Sequence, residues 1–431
     1  MSEKIILVWF RNDLRVHDNE ILLEAIRKAD KVLPVYCFDP HYFQTTEAGN
    51  HKTGNIRARF LIESVANLRQ NLRNLGGELV IAHGHPAELI PQLAEQYHIS
   101  EVYHHREVAF EETGISEQVE AALWKMKLNL KHFIGHTLYH KEDLPFPIKD
   151  IPDSFNTFKK KVERDSAVRP CVQTPEAVMT PEIIDAGEVP TLEQLGLNEP
   201  IADPRAYRFV GGETMALQQL EQYFANKSTA ATLKKGSSAA SKLSPWLALG
   251  CLSPRQVYWE LVKHEVSINS HPLMLELLWR DYFRFMFKKY SSKFYSPAGF
   301  KDNAPELATN QDELFDQWKN GQTGVPYVDA CMHELKITGF LHNSCRQVVA
   351  AYLTKTLKVD WTRGAQWFEE KLIDYSPASN WGNWAYIAGV GNDPRENRYF
   401  NPKTAAELDP KGEYVRLWLN EEAAGDLAAS A

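Results

Sequence analysis

Between Asp374 and Tyr386 the chain places one carboxylate, two side-chain amides and four aromatic rings: Asp374, Tyr375, Asn380, Trp381, Asn383, Trp384 and Tyr386. A second cluster, Asn343, Arg346 and Gln347, lies just upstream at i, i+3 and i+4, so its side chains share one helical face. A face of amide, guanidinium and amide is costly to bury unless each group has a fixed partner. It reads either as a solvated helix surface or as the wall of a ligand site. The apolar run Val348-Val-Ala-Ala-Tyr-Leu353 that follows marks a buried helix and favours the second reading. Asp374 closes the next predicted helix, so an Arg346–Asp374 ion pair beside a flat ring would satisfy both charges. Asn380 can offer its amide to a ring nitrogen, which an Asp could do only when protonated. Indoles give up electrons readily. Together these groups suggest a pocket for a large, flat redox cofactor with an electron route beside it.

Other stretches carry weaker signals. Ser241-Lys242-Leu243-Ser244-Pro245, after Lys234-Lys-Gly-Ser-Ser238, puts hydroxyls, a lysine and backbone N–H groups ahead of a helix. That suits a pyrophosphate, although such loops are also common linkers. Glu276, Trp279, Arg280 and Asp281 set charges and an indole on neighbouring turns. Large aromatics are usually core, but beside cations at a cavity they also suit stacking of an unpaired base.

The elements that must hold these groups divide the chain. Apolar runs at 5–10, 32–38, 78–83, 101–105 and 130–134 alternate with helical patterns at 20–28, 57–75 and 86–97. This predicts a parallel sheet covered on both faces over residues 1–140. No GxGxxG follows the first strand and no Walker sequence occurs, which excludes an orthodox dinucleotide or P-loop site. Residues 141–205 are rich in proline and acid and read as a connector. Residues 206–420 read as nearly all helix, with runs at 213–226, 254–265, 273–290, 311–321, 327–339, 343–357 and 362–375. The tail, 421–431, is mostly small residues and is expected to fray.

With 431 residues, 44% hydrophobic and 24% charged, the chain has the composition of an ordinary globular protein. No apolar run reaches the length of a membrane span. The N-terminus meets charge too soon for a signal peptide, and a cytoplasmic location is expected. Five scattered cysteines, without CxxC or a Cys/His ligand set, read as reduced thiols and give no metal site. Net charge is −8, yet residues 231–400 hold 20 Lys and Arg against 17 Asp and Glu, so a local basic face for a phosphate backbone remains open.

Long motifs then point to a family. Leu7-Val-Trp-Phe-Arg11-Asn-Asp-Leu-Arg15-Val-His17-Asp18-Asn19, Ser244-Pro-Trp-Leu-Ala-Leu-Gly250-Cys-Leu-Ser253-Pro-Arg, Trp279-Arg-Asp-Tyr-Phe-Arg, Thr323-Gly-Val-Pro326-Tyr-Val-Asp329-Ala, Asn380-Trp-Gly-Asn-Trp384 and Gly389-Val-Gly-Asn-Asp-Pro-Arg395-Glu resemble photolyase/cryptochrome flavoproteins from about residue 4 to 420. Gln347 and Tyr386, where duplex-acting photolyases generally carry Met and Trp, resemble the DASH-type cryptochromes. The resemblance implies a Rossmann-like α/β domain of photolyase type, then an all-helical domain binding FAD. By motif position Ser241, Lys242, Leu243 and Ser244 would meet the pyrophosphate. Glu276, Arg280, Asn343, Arg346, Asp374, Ser376 and Asn380 would surround the flavin. Trp279, with Gln347 and Tyr386, would meet an extruded pyrimidine dimer.

The implied reaction is blue-light-driven splitting of cyclobutane pyrimidine dimers by an electron from reduced FAD, preferentially in single-stranded DNA. Single strands avoid most of the cost of extrusion. Trp384 and then Trp361 would feed electrons to the flavin. The family's usual third tryptophan would fall near Ala308, where there is none, and Trp318 is a substitute. The tyrosine usual before the Ser-Lys-Leu-Ser segment is missing too, with Tyr223 slightly early and Ala240 where a hydroxyl is common. Glu107 matches a pterin-binding acid, implying methenyltetrahydrofolate as antenna. The protein is expected to be a monomer, and the alternative is a photoreceptor that binds DNA or RNA without repair. A flavin oxidoreductase working in the dark would need a proton donor near Asn380 and a nicotinamide site, and the sequence offers neither.

Overall fold

The computed structural model describes residues 3–46, 49–225, 241–264, 268–302, 304–393 and 407–419. The sequence features at 226–240, 394–396 and 421–431, among them Lys234–Ser238 and Ala240, lie outside the described residues.

Strands β1 (Ile5–Phe10), β2 (Lys31–Phe38), β3 (Val80–His83), β4 (Glu101–His105) and β5 (Leu130–Phe133) form one parallel sheet in the order β3-β2-β1-β4-β5. β1 pairs with β2 from Ile5↔Lys31 to Phe10↔Tyr36, and with β4 from Ile6↔Glu101 to Trp9↔His104. All of β1 is buried, because helices cover both faces, and its sequence is therefore a continuous apolar run. Helices α1 (Glu20–Lys28), α2 (Asn55–Asn74), α3 (Pro86–Gln96) and α4 (Phe110–Lys125) supply the cover. α1 begins where the Asn19 side chain accepts the Leu22 N–H, with Glu20 in its first turn and Arg27 and Lys28 in its last. α4 left no mark in the sequence because its apolar residues are spread round the helix instead of forming a stripe. Strand order reverses at the carboxyl ends of β1 and β4, where sheets of this type leave a crevice.

The proline-rich stretch after the sheet is less bare than its composition suggests. It carries single turns at Lys141–Asp143 and Ile148–Asp150 and a helix, α5 (Phe155–Asp165). The helical half then supplies α6 (Glu213–Ala225), α7 (Ser244–Ala248), α8 (Pro254–His264), α9 (Pro272–Tyr290), α10 (Gln311–Lys319), α11 (Pro326–Thr338), α12 (Asn343–Ala351), α13 (Trp361–Lys371) and α14 (Pro377–Ala388). α12 runs into a π-helical turn, Tyr352–Thr356. α14 was not legible, since Ser, Asn, Gly and Trp are poor helix formers. Its burial against α9, α12 and α13 supplies what propensity lacks.

α9 joins the two halves. Arg280 donates to the His136 and Leu247 carbonyls, Asp281 accepts the Leu138 and Tyr139 N–H groups at 3.0 and 2.9 Å, and Arg284 pairs with Glu107 at 2.6 Å. Gly250 brings the segment before α8 against the end of β1. Its φ is +65°, and a Cβ there would lie 1.9 Å from the Asn12 carbonyl oxygen. One continuous apolar cluster runs from the sheet through the helical half.

Candidate functional site

α9, α12 and α14 enclose a cleft of about 420 Å³. Its walls carry Glu276, Trp279 and Arg280 from α9, Asn343, Arg346 and Gln347 from α12, and Ser379, Asn383 and Tyr386 from α14. α12 starts where His342 accepts the Ser344 N–H, which fixes the face that Asn343, Arg346 and Gln347 share, while Cys345, Val348 and Val349 turn into the core. α14 comes close to α9 because residue 382 is glycine: a Cβ there would stand 2.3 Å from Phe283 Cδ1. A recess of about 60 Å³ continues the cleft and is lined by Asn380, Trp384 and Phe368.

Asp374 anchors the polar side. Its carboxylate accepts from Arg346 at 2.9 and 2.7 Å and from the Ser244 hydroxyl at 2.7 Å. The Arg346 Nε–H is held by the Leu341 carbonyl at 2.7 Å. The acid is buried and the guanidinium stays 24% exposed on the cleft, so the pair presents one fixed cation edge to a ligand. Asn380 donates one amide hydrogen to the Ala365 carbonyl at 2.9 Å, which orients the rest of its carboxamide in the recess. Glu276 opens onto the cleft, yet the surrounding protein pushes its carboxyl up to about 7 against the pull of Arg346. Arg280, boxed by backbone carbonyls beside Arg284, is pushed down to about 10 by burial.

The phosphate-side segment is placed in part. Ser241, Lys242 and Ser244 line the cleft. The Leu243 side chain, expected at the pyrophosphate, is wholly buried in the core, leaving only its backbone for a ligand. The Lys242 ammonium rests 4.1 Å from the centre of the Tyr207 ring, with its backbone at φ +53°. Tyr223 packs on Phe224 at 5.1 Å.

Ring contacts give the surroundings of the expected indoles. Trp384 packs on Phe368 at 5.1 Å and Trp318 at 6.1 Å. Trp361, expected next to it, packs on Trp381 at 5.8 Å, and Trp381 on half-buried Tyr295 at 4.8 Å. Trp318 is fully buried and donates to the Val349 carbonyl at 3.0 Å.

Glu107 is not a free acid for a pterin. Only 1% exposed, it accepts from Arg284 at 2.6 Å and Asn12 at 3.1 Å and faces His136 at 3.2 Å. Burial alone would raise its carboxyl, but Arg284 and Arg11 hold it below the usual range. This network plugs the crevice at β1 and β4. An unforeseen cavity of about 120 Å³ lies instead under the ends of β1 and β2, among Trp9, Arg11, Tyr36, Tyr42, Arg57 and Tyr375. Tyr375 also borders the recess.

Two family descriptions match this architecture half by half. Residues 6–179 match DNA photolyase, and residues 273–428 match the FAD binding domain of DNA photolyase. A cryptochrome DASH of Gloeobacter violaceus is 46% identical over 434 residues, covering 98% of this chain and 86% of that one. The chain belongs to the photolyase/cryptochrome family, in its DASH group. The crystal structure of Synechocystis cryptochrome superposes with a TM-score of 0.92 at 42% identity, over 98% of this chain and 90% of that one. An archaeal photolyase from Sulfolobus tokodaii, solved with two FAD molecules, gives 0.80 at 25% identity, over 99% and 93%. The match to the FAD binding domain covers the residues of α9, α12 and α14 that wall the cleft. No helix among the described residues is long and apolar enough to cross a membrane.

Proposed function

We propose that this DASH-type protein binds FAD in the cleft and uses blue light to split cyclobutane pyrimidine dimers, preferentially in single-stranded DNA. The observation that carries the reading is one cleft joining a fixed Arg346–Asp374 pair, an Asn380–Trp384 recess and a Trp279–Tyr386 mouth. Its volume lies within the range of cofactor sites. The chemistry the bound, reduced FAD would supply is a light-excited electron, lent to the dimer and recovered when it splits. Arg346, Asn343 and Asn380 would orient the ring system, and Ser241 and Lys242, with the backbone of Ser244, would hold the phosphates. The Ser376 side chain, at the start of α14, makes no cap bond to its own helix and is available to the cofactor.

At the mouth, Trp279 and Tyr386 meet edge to face at 5.6 Å and offer rings to an extruded dimer. Protonated Glu276 can donate a hydrogen bond to a pyrimidine carbonyl. Gln347 and Tyr386 give that surface a more polar character than Met and Trp would, which weakens the drive to pull a dimer out of a duplex. Trp384 is the proximal electron donor. Trp361, Trp381 and Tyr295 form the branch that leads outward, since Trp318 ends in the core. Replacing Trp384 by Phe should slow photoreduction with FAD retained, and replacing Trp361 by Phe should slow it more than replacing Trp318. A light-gathering pterin such as methenyltetrahydrofolate would have to bind without the sealed Glu107 carboxylate as a free partner; a near-ultraviolet band in the purified protein tests its presence.

Dimer splitting under blue light, measured on one oligonucleotide as a single strand and as a duplex, decides the main reading. Equal rates on both would remove the strand preference. Light-independent binding with no splitting would leave a nucleic-acid-binding photoreceptor.

A further inference from the structure

The stretch that reads as a connector stands directly behind the stacking platform. Phe155, the first residue of α5, lies parallel to the Trp279 indole, with centroids 3.7 Å apart and planes 8° apart. Trp279 lines the cleft and Phe155 does not. Phe155 therefore covers one face of the indole, while Phe283 and Tyr386 pack on the same ring at 5.4 and 5.6 Å and the surface toward the cleft is left for a ligand. The brace is itself fixed. Phe155 is 9% exposed and packs edge to face on Tyr282 at 5.5 Å. The residues before it are riveted to α9: Tyr282 donates to the Asp153 carbonyl at 2.6 Å, Tyr290 to the Asp153 carboxylate at 2.7 Å, and Lys289 to the Ile151 carbonyl at 2.8 Å. Phe158, one turn on, packs on Tyr282 at 5.1 Å.

We propose that Phe155 is a positioning residue for nucleobase recognition: it holds the Trp279 ring in one plane and blocks the face it covers, so that a flipped-out pyrimidine dimer stacks on the surface toward the cleft alone. The proposal rests on the reading of Trp279 as a stacking platform. An indole free to rotate must be ordered on binding, and this cost falls on affinity for a stacked base. A strand that binds only through its phosphates does not feel it.

The test uses FAD-loaded protein with Phe155→Ala, Phe155→Leu and Phe155→Tyr. Two quantities are read: affinity for single-stranded oligothymidylate with and without one cyclobutane dimer, and near-ultraviolet circular dichroism, which reports the stacked ring pair. Ala and Leu should lose the ring-pair signal and bind the dimer strand about fivefold more weakly, the lower end of what a base–aromatic stack contributes. Their affinity for the undamaged strand should not change, and Tyr should match the parent. Should Ala fail to fold, Leu, which keeps most of the apolar bulk, carries the comparison. Parent-like dimer affinity in a variant that has lost the ring-pair signal overturns the proposal, as does Tyr behaving like Ala. If the parent itself binds both strands equally, the repair reading falls instead. The brace is then judged by the dichroism, and an unchanged signal in Leu removes it.

Discussion

Two arginine–carboxylate pairs in this protein have nearly the same length and different surroundings. Arg284–Glu107, at 2.6 Å, is sealed where the helical half meets the sheet, with 7% and 1% of its side chains exposed. Arg346–Asp374, at 2.7 Å, buries its acid equally well but leaves its cation 24% exposed on the cleft. The first pair uses its acceptor capacity on Asn12 and His136 and fills a crevice that parallel sheets commonly reserve for ligands. The second is braced from behind, by Ser244 and the Leu341 carbonyl, with its front edge available. The lesson is that the same pairing chemistry serves as a rivet or as a binding surface according to what is left unsatisfied beside it.

The comparison breaks most visibly at the sealed pair. Arg284→Ala should strand a buried carboxylate and cost about 3–5 kcal/mol in urea unfolding, with added FAD unable to restore it. Arg346→Ala should cost clearly less, since cleft water reaches Asp374 in its place; equal losses would erase the distinction. Asp374→Asn should then sharpen it from the other side. The protein should stay folded, with a loss of about 1–2 kcal/mol, while flavin affinity measured by fluorescence falls about tenfold or more.

Two carboxyls extend the contrast into pH. Glu112 sits in the sealed region beside Glu107, and burial with that neighbouring charge pushes it up to about 8. Its folded value exceeds its unfolded one, so its contribution favours the fold below the ordinary carboxyl range and is lost as pH rises toward 8. Glu112→Gln should flatten the pH dependence of the urea midpoint in that window. Glu276 opens onto the cleft, so its smaller rise should lower stability with pH less than that of Glu112 does and should also appear in binding. As pH rises through about 7 the carboxyl loses its proton and gains a charge that repels phosphate, and affinity for a dimer-bearing single strand should fall modestly. Glu276→Gln should remove that dependence. A steeper effect on stability than on binding would place Glu276 with the sealed groups.

Much of the site was legible because it depends on short spacings. Asn343, Arg346 and Gln347 share a face by helix geometry alone, and Arg346 and Asp374 are only 28 residues apart. The five strands were legible because a sheet buried on both faces demands continuous apolar runs. What escaped depends on partners far along the chain. Glu107 looked like a surface acid after a strand, and Arg284, 177 residues away, makes it a rivet. The contacts of Trp318 with Trp384 and of Trp361 with Trp381 come from packing that no periodicity encodes.

By itself the sequence determined the strands, most of the helices and the side-chain chemistry of one cleft wall, since hydrophobic period and local spacing act within a few turns. Only the tertiary structure decided which acid is sealed and which faces a ligand. It also decided that a proline-rich stretch supplies the ring behind Trp279 and that a cavity opens under β1 and β2. These outcomes depend on which distant groups meet and how much space remains between them, and only the packing of the whole chain fixes that.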